Sequence, residues 1–472
     1  MMTNTANLWR RHEPSAALAQ VLRAPRVEAQ HPRRLRPLLI AEAANPEWSS
    51  VPLVGWNLSR AVARQTNALV VTQIRNRTAF LRAGLAEGED FIAIDNERVS
   101  AALHRFGEHI RGGSNKGWTM VTATSSLAYY SFERELWRAL GPRLKAGEFD
   151  LVHRITPLSA TSQSGIAHHL KRINVPFVIG PLNGGTPWPA AFDAVRRREL
   201  EWLTPWRDLH RLMPAYRATR YKAAAVLAGS NAAFQQLSKQ VQAKTFWLPE
   251  NGVDPQRFPF TQRRMRDGVL RVAFVGRLVP YKGADILVEA VARIVFDSAI
   301  ELMIIGEGPE REALDQAVAA RRLNGKVRFL PWQEQAALAS ALADVHVLAL
   351  PSVREFGGGV VVEALSLGLV PVVANHGGPP ELIDEATGIA VDFTDRESLI
   401  AGFAASLRRL ASEPGLVERM SAAGGERARR LLTWDAKAER ILAIYDWVMG
   451  RGTRPQFLNP KLDVHHEIPR TN

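Results

Sequence analysis

Residues 270–295 read Leu270-Arg-Val-Ala-Phe-Val-Gly-Arg-Leu-Val-Pro-Tyr-Lys-Gly-Ala-Asp-Ile-Leu-Val-Glu-Ala-Val-Ala-Arg-Ile-Val295. The short apolar run Leu270–Val275 predicts a buried strand, and the longer amphipathic pattern over Gly283–Val295 predicts a helix. Between them lies a glycine turn that contains Arg277 and, five positions later, Lys282. A buried strand that leads through a glycine turn into a helix is typical of a βα unit in a parallel sheet.

The same alternation continues on both sides of this unit. Further strands of this second series are predicted at Glu301–Ile305, Val327–Leu330, Val345–Leu350 and Val370–Ala374. An earlier series has predicted strands at Leu38–Ala41, Ala68–Thr72, Phe91–Ile94, Asp150–Arg154, Pro176–Gly180 and Ala225–Ala228. Turn-forming residues at 248–255 separate the two series. The sequence therefore predicts an α/β protein with two doubly wound, Rossmann-like domains that face a central cleft.

The length of 472 residues also favours more than one domain. We predict a polar N-terminal tail (1–34), an N-terminal domain that holds one reactant (35–250), a linker (251–268), a C-terminal domain that holds the other reactant (269–430), a final helix (431–450) and a flexible tail (451–472).

The composition of the chain narrows the classes of function that it can have. The chain has no cysteine, which excludes a disulfide framework, a thiolate metal site and a cysteine nucleophile. The net charge of +13 favours an anionic partner. The basic residues are scattered and no aromatic-basic motif accompanies them, so we predict no nucleic-acid partner. No apolar run reaches the roughly 18–20 residues that span a bilayer, and we expect a cytoplasmic protein.

The first candidate site is the turn that carries Arg277 and Lys282. The planar guanidinium of Arg can bind a phosphate through two hydrogen bonds, and the ammonium of Lys supplies a compact positive charge. The N-terminus of the following helix also favours a bound anion. This pattern is suited to stabilising a departing diphosphate. The alternative is a surface Arg and Lys on an ordinary βα loop.

The second candidate site is Glu355-Phe-Gly-Gly-Gly-Val-Val-Val-Glu363. Three consecutive glycines disfavour a helix interior, so they predict a loop that closely approaches another group before a helix begins. Glu363 then lies in the first turns of an apolar helix, where a buried carboxylate needs a partner such as the two hydroxyls of a ribose. The alternatives are a solvated loop acid at Glu355 and a capping acid at Glu363.

Three further loops contain glycines next to predicted strands or helices. Gly180-Pro-Leu-Asn-Gly-Gly185 places Asn183 and Gly184 at the edge of the cleft, and Gly55 lies in the first loop of the N-terminal domain. His376-Gly-Gly-Pro-Pro-Glu381 is either a binding loop or a strand–helix turn with a capping Glu.

Several common motifs are absent from the sequence. There is no G-x-G-x-x-G, no G-x-x-x-x-G-K-[ST], no H-E-x-x-H and no D-x-D. These absences argue against a dinucleotide fingerprint, a P-loop, a zinc helix and a diphosphate bound through a metal. We therefore expect neither a cofactor nor a metal requirement.

Taken in order, the motifs resemble those of the retaining glycosyltransferases of family 4. The matching pieces are Asn251-Gly-Val-Asp254, Val275-Gly-Arg-Leu278 with Lys282-Gly283, Gly306-Glu-Gly-Pro309, Glu355-Phe-Gly357 with Glu363, and Gly377-Gly378 with Glu381. The resemblance is strong over residues 248–393 and weaker over residues 37–230. It implies the GT-B architecture, with the donor site in the second domain and a C-terminal helix that crosses back to the first.

The resemblance also implies roles for individual residues. Arg277 and Lys282 would bind the donor diphosphate, Glu355 would lie near the transferred sugar, and Glu363 would bind the ribose hydroxyls. The other residues implied at the donor site are Phe329 and Leu330 beside the nucleobase, and Gly357, Gly358, Gly359 and Val360 beside the sugar or phosphate. Many relatives have His-x-His or His-x-Asp at the end of a central strand. This chain has His153 there, which the resemblance makes a cleft candidate that would face the sugar, with Ile155 at the second position.

These observations predict a retaining glycosyltransferase that moves a sugar from a nucleotide diphosphate sugar to a saccharide or lipid-linked hydroxyl acceptor, in cell-surface polysaccharide or glycolipid synthesis. The alternatives are an epimerase or phosphorylase of the same architecture, and a non-catalytic sugar- or nucleotide-binding module. Residues 196–212 interleave Arg with Trp and Leu. This segment is either an amphipathic helix packed on its own sheet or a contact with the anionic face of the inner membrane.

Overall fold

The computed structural model describes residues 34–97, 118–198 and 214–457. Three predicted segments lie wholly or largely outside these ranges: the N-terminal tail, the last part of the chain from residue 458, and the Arg- and Trp-rich segment at residues 196–212, of which only residues 196–198 are described. The fold described below belongs to the compact unit that begins at Arg36, within the described ranges.

A parallel sheet of seven strands forms the first half of this unit, in the order β3-β2-β1-β4-β5-β6-β7. Its strands are β1 (Pro37–Ala41), β2 (Leu69–Gln73), β3 (Phe91–Ile94), β4 (Leu151–Thr156), β5 (Phe177–Leu182), β6 (Ala225–Ala228) and β7 (Thr245–Trp247). The helices are α1 (Val51–Gln65), α2 (Arg77–Arg82), α3 (Trp118–Lys145), α4 (Ile166–Arg172), α5 (Asp193–Arg198), α6 (Pro214–Lys222), α7 (Asn231–Gln235) and α8 (Lys239–Gln242).

A second parallel sheet, of six strands, follows in the order β10-β9-β8-β11-β12-β13. Its strands are β8 (Leu270–Val275), β9 (Ile300–Ile305), β10 (Val327–Leu330), β11 (Val347–Leu350), β12 (Val370–Ala374) and β13 (Ile389–Val391). The helices are α9 (Ala284–Ala292), α10 (Arg311–Ala320), α11 (Gln335–Ala341), α12 (Gly359–Ser366), α13 (Arg396–Ser412), α14 (Pro414–Arg427) and α15 (Trp434–Val448).

Strand β8 explains why the second sheet needs helices on both faces. Val272 and Phe274 pack into the core on one face, and Ala273 and Val275 pack into the core on the other. Because successive side chains of a strand point in opposite directions, an apolar run without alternation must be covered twice. The structure confirms the two predicted Rossmann-like domains.

Two strands and one glycine differ from the sequence prediction. The edge strands β7 and β13 have only three residues each, too few for a recognisable apolar run. The prediction that Gly55 lies in a loop is wrong, because it lies inside α1. A Cβ at Gly55 would stand 2.1 Å from the carbonyl oxygen of Ala43 and 3.0 Å from Cγ2 of Thr156, so this glycine allows α1 to pack closely against the sheet.

The last helix, α15, follows the second sheet but packs against α1 of the first. Asp435 at its start accepts a hydrogen bond of 2.5 Å from Arg64. Near its end, the Tyr445 hydroxyl lies 2.6 Å from Nδ1 of His153 on β4. The predicted crossing of the C-terminal helix is therefore confirmed. Within the described ranges, no helix combines the length and apolarity needed to cross a membrane.

His153 is fully buried and uses both of its ring nitrogens. Nε2 lies 2.7 Å from the carbonyl oxygen of Gly180, which can only accept, so Nε2 carries the proton and Nδ1 accepts from Tyr445. Burial lowers the pKa of His153 to about 4 and keeps the ring neutral. His153 therefore joins the crossing helix to the first sheet. The expectation that it faces the sugar in the cleft is wrong, because the ring is fully buried and both nitrogens are already bonded.

We predict that Tyr445→Phe lowers the free energy of unfolding by about 1–3 kcal/mol, because it leaves the buried Nδ1 of His153 without a donor. Urea denaturation followed by circular dichroism measures this change. Tyr221→Phe is the matched control, since the Tyr221 hydroxyl bonds Ser238 in an exposed position. Equal losses in the two variants would contradict the role given to His153.

Candidate active site

The loops after β8 and β11 bring Lys282 and Glu355 together. The Lys282 ammonium forms an ion pair with the Glu355 carboxylate, and both side chains are largely buried. Lys282 ends a short turn before α9, and Glu355 lies four residues before α12. The two candidate sites proposed from sequence thus form one site at the carboxyl-terminal edge of the second sheet, where open α/β sheets bind ligands.

Hydrogen bonds to one backbone carbonyl group hold these two loops together. The backbone N–H of Val353 donates to the carbonyl oxygen of Tyr281 over 3.0 Å, and the Ser352 hydroxyl donates to the same oxygen over 3.2 Å. Gly283 adopts a left-handed conformation, with φ 74°, and a Cβ there would stand 2.8 Å from the carbonyl oxygen of Pro351. Glycine is required at this position for both reasons.

Arg277 differs from Lys282 in its surroundings. Its side chain is exposed, and no hydrogen bond or ion pair joins its guanidinium to any other described residue.

The residues predicted to border the nucleobase lie on β10, two strands away from β8 in the second sheet. There the Arg311 guanidinium stacks over the Phe329 ring at 4.2 Å, and Leu330 is partly buried beside it.

The three glycines form a loop that closely approaches another group, as their sequence predicts. That group is the end of the first domain. A Cβ on Gly357 would stand 2.1 Å from Oε1 of Glu250 and 2.4 Å from Nδ2 of Asn251. Gly358 has φ 58° and directly precedes α12, which begins at Gly359 and Val360. The first N–H groups of α12 have no acceptor within the helix, as at any helix start.

Glu363 lies in the second turn of α12 and accepts a hydrogen bond of 3.0 Å from Nε2 of Gln335. Burial raises its pKa to about 7, and the bond from Gln335 opposes this rise. Glu363 is therefore not a simple capping acid. It is a partly buried acid with one amide donor.

Glu250 is a site residue that the sequence analysis missed. Burial raises its pKa to about 7, and the nearby Glu355 carboxyl adds to the rise, while Asn183 and Lys437 oppose it. The sequence signal was only an acid within a turn, in Leu-Pro-Glu-Asn-Gly, and its proximity to Glu355 depends on how the two domains meet.

Asn183 and Gly184 lie directly after β5, as predicted. Asn183 is buried, and its Oδ1 accepts hydrogen bonds from the backbone N–H of Gly184 over 2.7 Å and from the Ser230 hydroxyl over 3.2 Å. Gly184 has φ 112°, a conformation that favours glycine.

Glu381 joins the two domains. Its carboxylate accepts from the backbone N–H of Asn231 over 2.8 Å and from the Trp247 indole N–H over 2.9 Å. The capping alternative for Glu381 is therefore the better description, although the capped helix, α7, belongs to the other domain. A cavity of about 280 Å³ lies beside this contact, with Asn231 and His376 among its lining residues.

The described residues hold no group of three or more His, Asp or Glu side chains arranged to bind a metal ion. The charged groups of the site are one close ion pair, Lys282 with Glu355, one exposed guanidinium at Arg277, and two acids of raised pKa, Glu250 and Glu363. Such a site can bind an anion on its basic side and neutral hydroxyl groups on its acidic side.

Two parallel Rossmann-like sheets that meet at a cleft, with a last helix that returns to the first sheet, define the GT-B fold. Within this fold, residues 259–427 match the family model of glycosyl transferases group 1. The match includes Arg277, Lys282, Glu355 and Glu363.

Curated relatives support this assignment of the C-terminal part. Glycogen synthase of Mycobacterium tuberculosis is 31% identical over 223 residues, which cover 46% of this chain and 52% of the relative. D-inositol 3-phosphate glycosyltransferase of Segniliparus rotundus is 33% identical over 180 residues, which cover 37% of this chain and 39% of the relative. The chain thus spans about half or less of the length of these relatives.

Solved structures extend the likeness to both domains. Sucrose-phosphate synthase of Thermosynechococcus elongatus superposes with a TM-score of 0.56 at 18% identity, over 89% of this chain and all of that chain. HepE of Anabaena, in complex with UDP and glucose, superposes with a TM-score of 0.52 at 14% identity, over 86% and 98%. At these identities the likeness concerns the fold alone.

The raised pKa of Glu363 predicts a pH-dependent stability. The folded protein keeps this proton up to about pH 7, whereas a Glu with the ordinary value of 4.5 has lost it. The wild type must therefore lose stability as the pH rises from 5 to 8, because the charged form is disfavoured in the folded state. We predict that Glu363→Gln loses less stability than the wild type over that interval, while the part of the loss that comes from Glu250, whose pKa is also raised to about 7, remains. Urea denaturation at pH 5 and pH 8 tests this, with the exposed-acid variant Glu385→Gln as control.

Proposed function

We propose that this chain is a glycosyltransferase that moves a sugar from a nucleotide diphosphate sugar to a hydroxyl acceptor with retention of configuration. The observation that carries this proposal is the ion pair of Lys282 with Glu355 at the edge of the second sheet, within the residues that match glycosyl transferases group 1. The relatives named above are themselves named as synthases or glycosyltransferases, which supports the same activity class.

In this proposal, Lys282 and Arg277 stabilise the leaving diphosphate. A lysine ammonium has three donors, so Lys282 can keep Glu355 and also bind a phosphate oxygen. Arg277 is exposed and holds no other partner among the described residues, so its fork is free to bind a phosphate. Fixed cations of this kind stabilise charge as it develops on the leaving group, which makes a divalent metal dispensable.

The bond changes follow from this arrangement. The bond from the sugar C1 to the diphosphate oxygen breaks as the acceptor oxygen bonds to C1 on the same face, and the departing phosphate takes the acceptor proton. Glu355 is held by Lys282 and is proposed to position the sugar rather than to attack it. Catalysis then rests mainly on orientation and on electrostatic stabilisation.

Glu363 is proposed to bind the donor ribose. Its carboxylate holds one amide donor, Gln335, and has further lone pairs for hydroxyl groups. Phe329 and Leu330 are proposed to border the nucleobase, with the Arg311 guanidinium on the Phe329 ring.

The acceptor is proposed to be a saccharide or a lipid-linked saccharide at the anionic face of a membrane, for cell-surface polysaccharide or glycolipid synthesis. The net charge of +13 supports attraction to such a surface. The segment proposed for this contact is residues 196–212, of which residues 199–212 lie outside the described residues.

A thermal-shift panel of UDP, GDP and their sugars tests the donor class. A ligand at about 100 times its dissociation constant should stabilise the protein by roughly 2.7 kcal/mol. We expect a shift with one nucleotide family and no loss of that shift, or of donor turnover, when EDTA is added. Complete loss with EDTA and recovery with manganese or magnesium would refute the metal-free account of the diphosphate.

We predict that Lys282→Ala and Arg277→Ala each lower donor turnover about 100- to 1000-fold, because each removes a preorganised positive charge from the leaving group. Release of the nucleotide diphosphate under saturating donor measures the rate. Lys326→Ala is the matched control, since Lys326 is an exposed lysine of the same domain. Turnover near that of the wild type in both variants would remove these residues from the mechanism.

A further inference from the structure

A group of basic residues lies at the amino-terminal edge of the first sheet. These residues are scattered along the sequence, but each lies on a helix or loop that leads into a strand of this sheet. We call the following seven residues the basic patch: Lys145, His168, His169, Lys171, Arg172, Lys222 and Lys244. Because the sheet is parallel, the patch lies opposite the carboxyl-terminal edge, where Asn183 and the cleft are found.

Direct contacts join the members of the patch on α3, α4 and α6. Lys222 donates a hydrogen bond of 2.5 Å to Nδ1 of His168. The ring of His169 stacks on that of Trp137 at 4.5 Å, and Nζ of Lys145 lies 5.8 Å from the centroid of the same Trp137 ring. The three helices therefore present their basic side chains on one continuous surface.

Lys244 extends this surface to the start of β7. Its ammonium donates to the carbonyl oxygens of Tyr221 over 2.8 Å and of Ala223 over 2.5 Å. Burial lowers the pKa of Lys244, and the nearby positive charge of Lys171 lowers it further. The side chain of Tyr221 is 43% exposed, so an aromatic ring also lies on this surface.

No acid neutralises the basic patch within the described part of the chain. None of its seven members forms an ion pair with Asp or Glu there. The sequence explains this, since residues 151–192 and 209–249, which contain six of the seven members, have no Asp or Glu. Glu148, the acid nearest in the chain to the seventh member, Lys145, pairs with Arg143 instead.

The ends of helices do not by themselves account for this clustering. A cation at a helix C-terminus is favourable because it faces the negative end of the helix dipole, and Lys145, Arg172 and Lys222 each end a helix. Lys244, however, lies outside any helix. Burial and then neighbouring positive charges lower the pKa of both Lys244 and His169, so the charged forms repel their neighbours. A negatively charged partner relieves this repulsion.

The type of cation indicates the type of partner. Only 10 of the 60 Lys and Arg residues of the chain are Lys, yet four members of the patch are Lys and one is Arg. Protein–protein interfaces are enriched in Arg and depleted in Lys, which argues against an acidic protein. The strongly hydrated ammonium of Lys suits a surface of many anionic headgroups, and an exposed Tyr is typical of the membrane–water interface.

We propose that the basic patch binds the anionic surface of a phospholipid membrane. This inference rests on the membrane setting of the proposed function, but not on its chemistry, and it adds a surface of described residues to the segment at residues 196–212. The cleft lies at the opposite edge of the first sheet, so a membrane on the patch leaves the cleft open to a soluble donor.

The test measures co-sedimentation of the full chain with phosphatidylcholine vesicles that contain either one third phosphatidylglycerol or none. The variant Lys171→Gln/Arg172→Gln removes two exposed charges that have no hydrogen-bond partner among the described residues. We expect it to weaken binding to the anionic vesicles about 25-fold, or about 5-fold for each cation, and we expect added salt to weaken the binding of the wild type.

Two controls separate charge at the patch from other effects. Lys171→Arg/Arg172→Lys keeps both charges and should bind as the wild type. Arg266→Gln/Lys326→Gln removes two exposed charges from the second domain and should also bind as the wild type. Thermal unfolding of each variant checks that the fold is kept, and donor hydrolysis should not change in any of them.

Equal binding of anionic and neutral vesicles, no binding at low salt, or an equal loss in the Arg266→Gln/Lys326→Gln variant would overturn the inference. Tighter binding of duplex DNA or of polyglutamate than of anionic vesicles would also overturn it, by assigning the patch to a nucleic acid or an acidic protein. Any of these results together with intact donor hydrolysis leaves the proposed activity in place. Absent hydrolysis would instead overturn the proposed activity, while vesicle binding still decides the role of the patch.

Discussion

The glycine loop at residues 357–359 approaches its neighbours so closely that it constrains the geometry of the site. On one side, the side chains of Glu250 and Asn251 occupy the space that a Cβ on Gly357 would need. On the other side, Pro379 and Leu382 lie 3.2–3.3 Å from the point where a Cβ on Gly358 would stand. A loop of residues with side chains cannot pass through this gap, so Glu355 before the gap and Glu363 after it have fixed positions.

The acids around this loop show how burial changes their chemistry. Glu355 is neutralised by Lys282, whereas Glu250 and Glu363 have raised pKa values because burial removes water without supplying an equal cation. An exposed carboxylate is satisfied by water and gains little from a ligand hydroxyl. A poorly hydrated carboxylate gains more free energy from a ligand hydroxyl, because the hydroxyl replaces a hydrogen bond that burial has removed. The partly buried carboxyl groups of Glu250 and Glu363 can therefore accept hydrogen bonds from a neutral polyol.

Sequence patterns predict the local parts of this architecture well. The strand β8 and the turn with Lys282 follow from one apolar run and one glycine, and the glycine loop follows from three glycines in a row. These are local rules of propensity and periodicity. Contacts between distant parts of the chain have no such signal. The proximity of Glu250 to Glu355, and the position of Gly55 inside α1 rather than in a loop, depend on packing that no local pattern encodes.

The contacts between the domains give the cleft its shape. Glu381 holds Asn231 and Trp247 of the first domain, and His376 lies 2.8 Å from the carbonyl oxygen of Pro187.

Aromatic side chains of the first domain also reach the second. Phe192 packs edge to face on Phe393 at 5.8 Å, and Trp188 lies edge to face with Tyr281, the residue before Lys282. Because Tyr281 also accepts the backbone bond from Val353, the first domain contacts the same loop pair that holds Lys282 against Glu355.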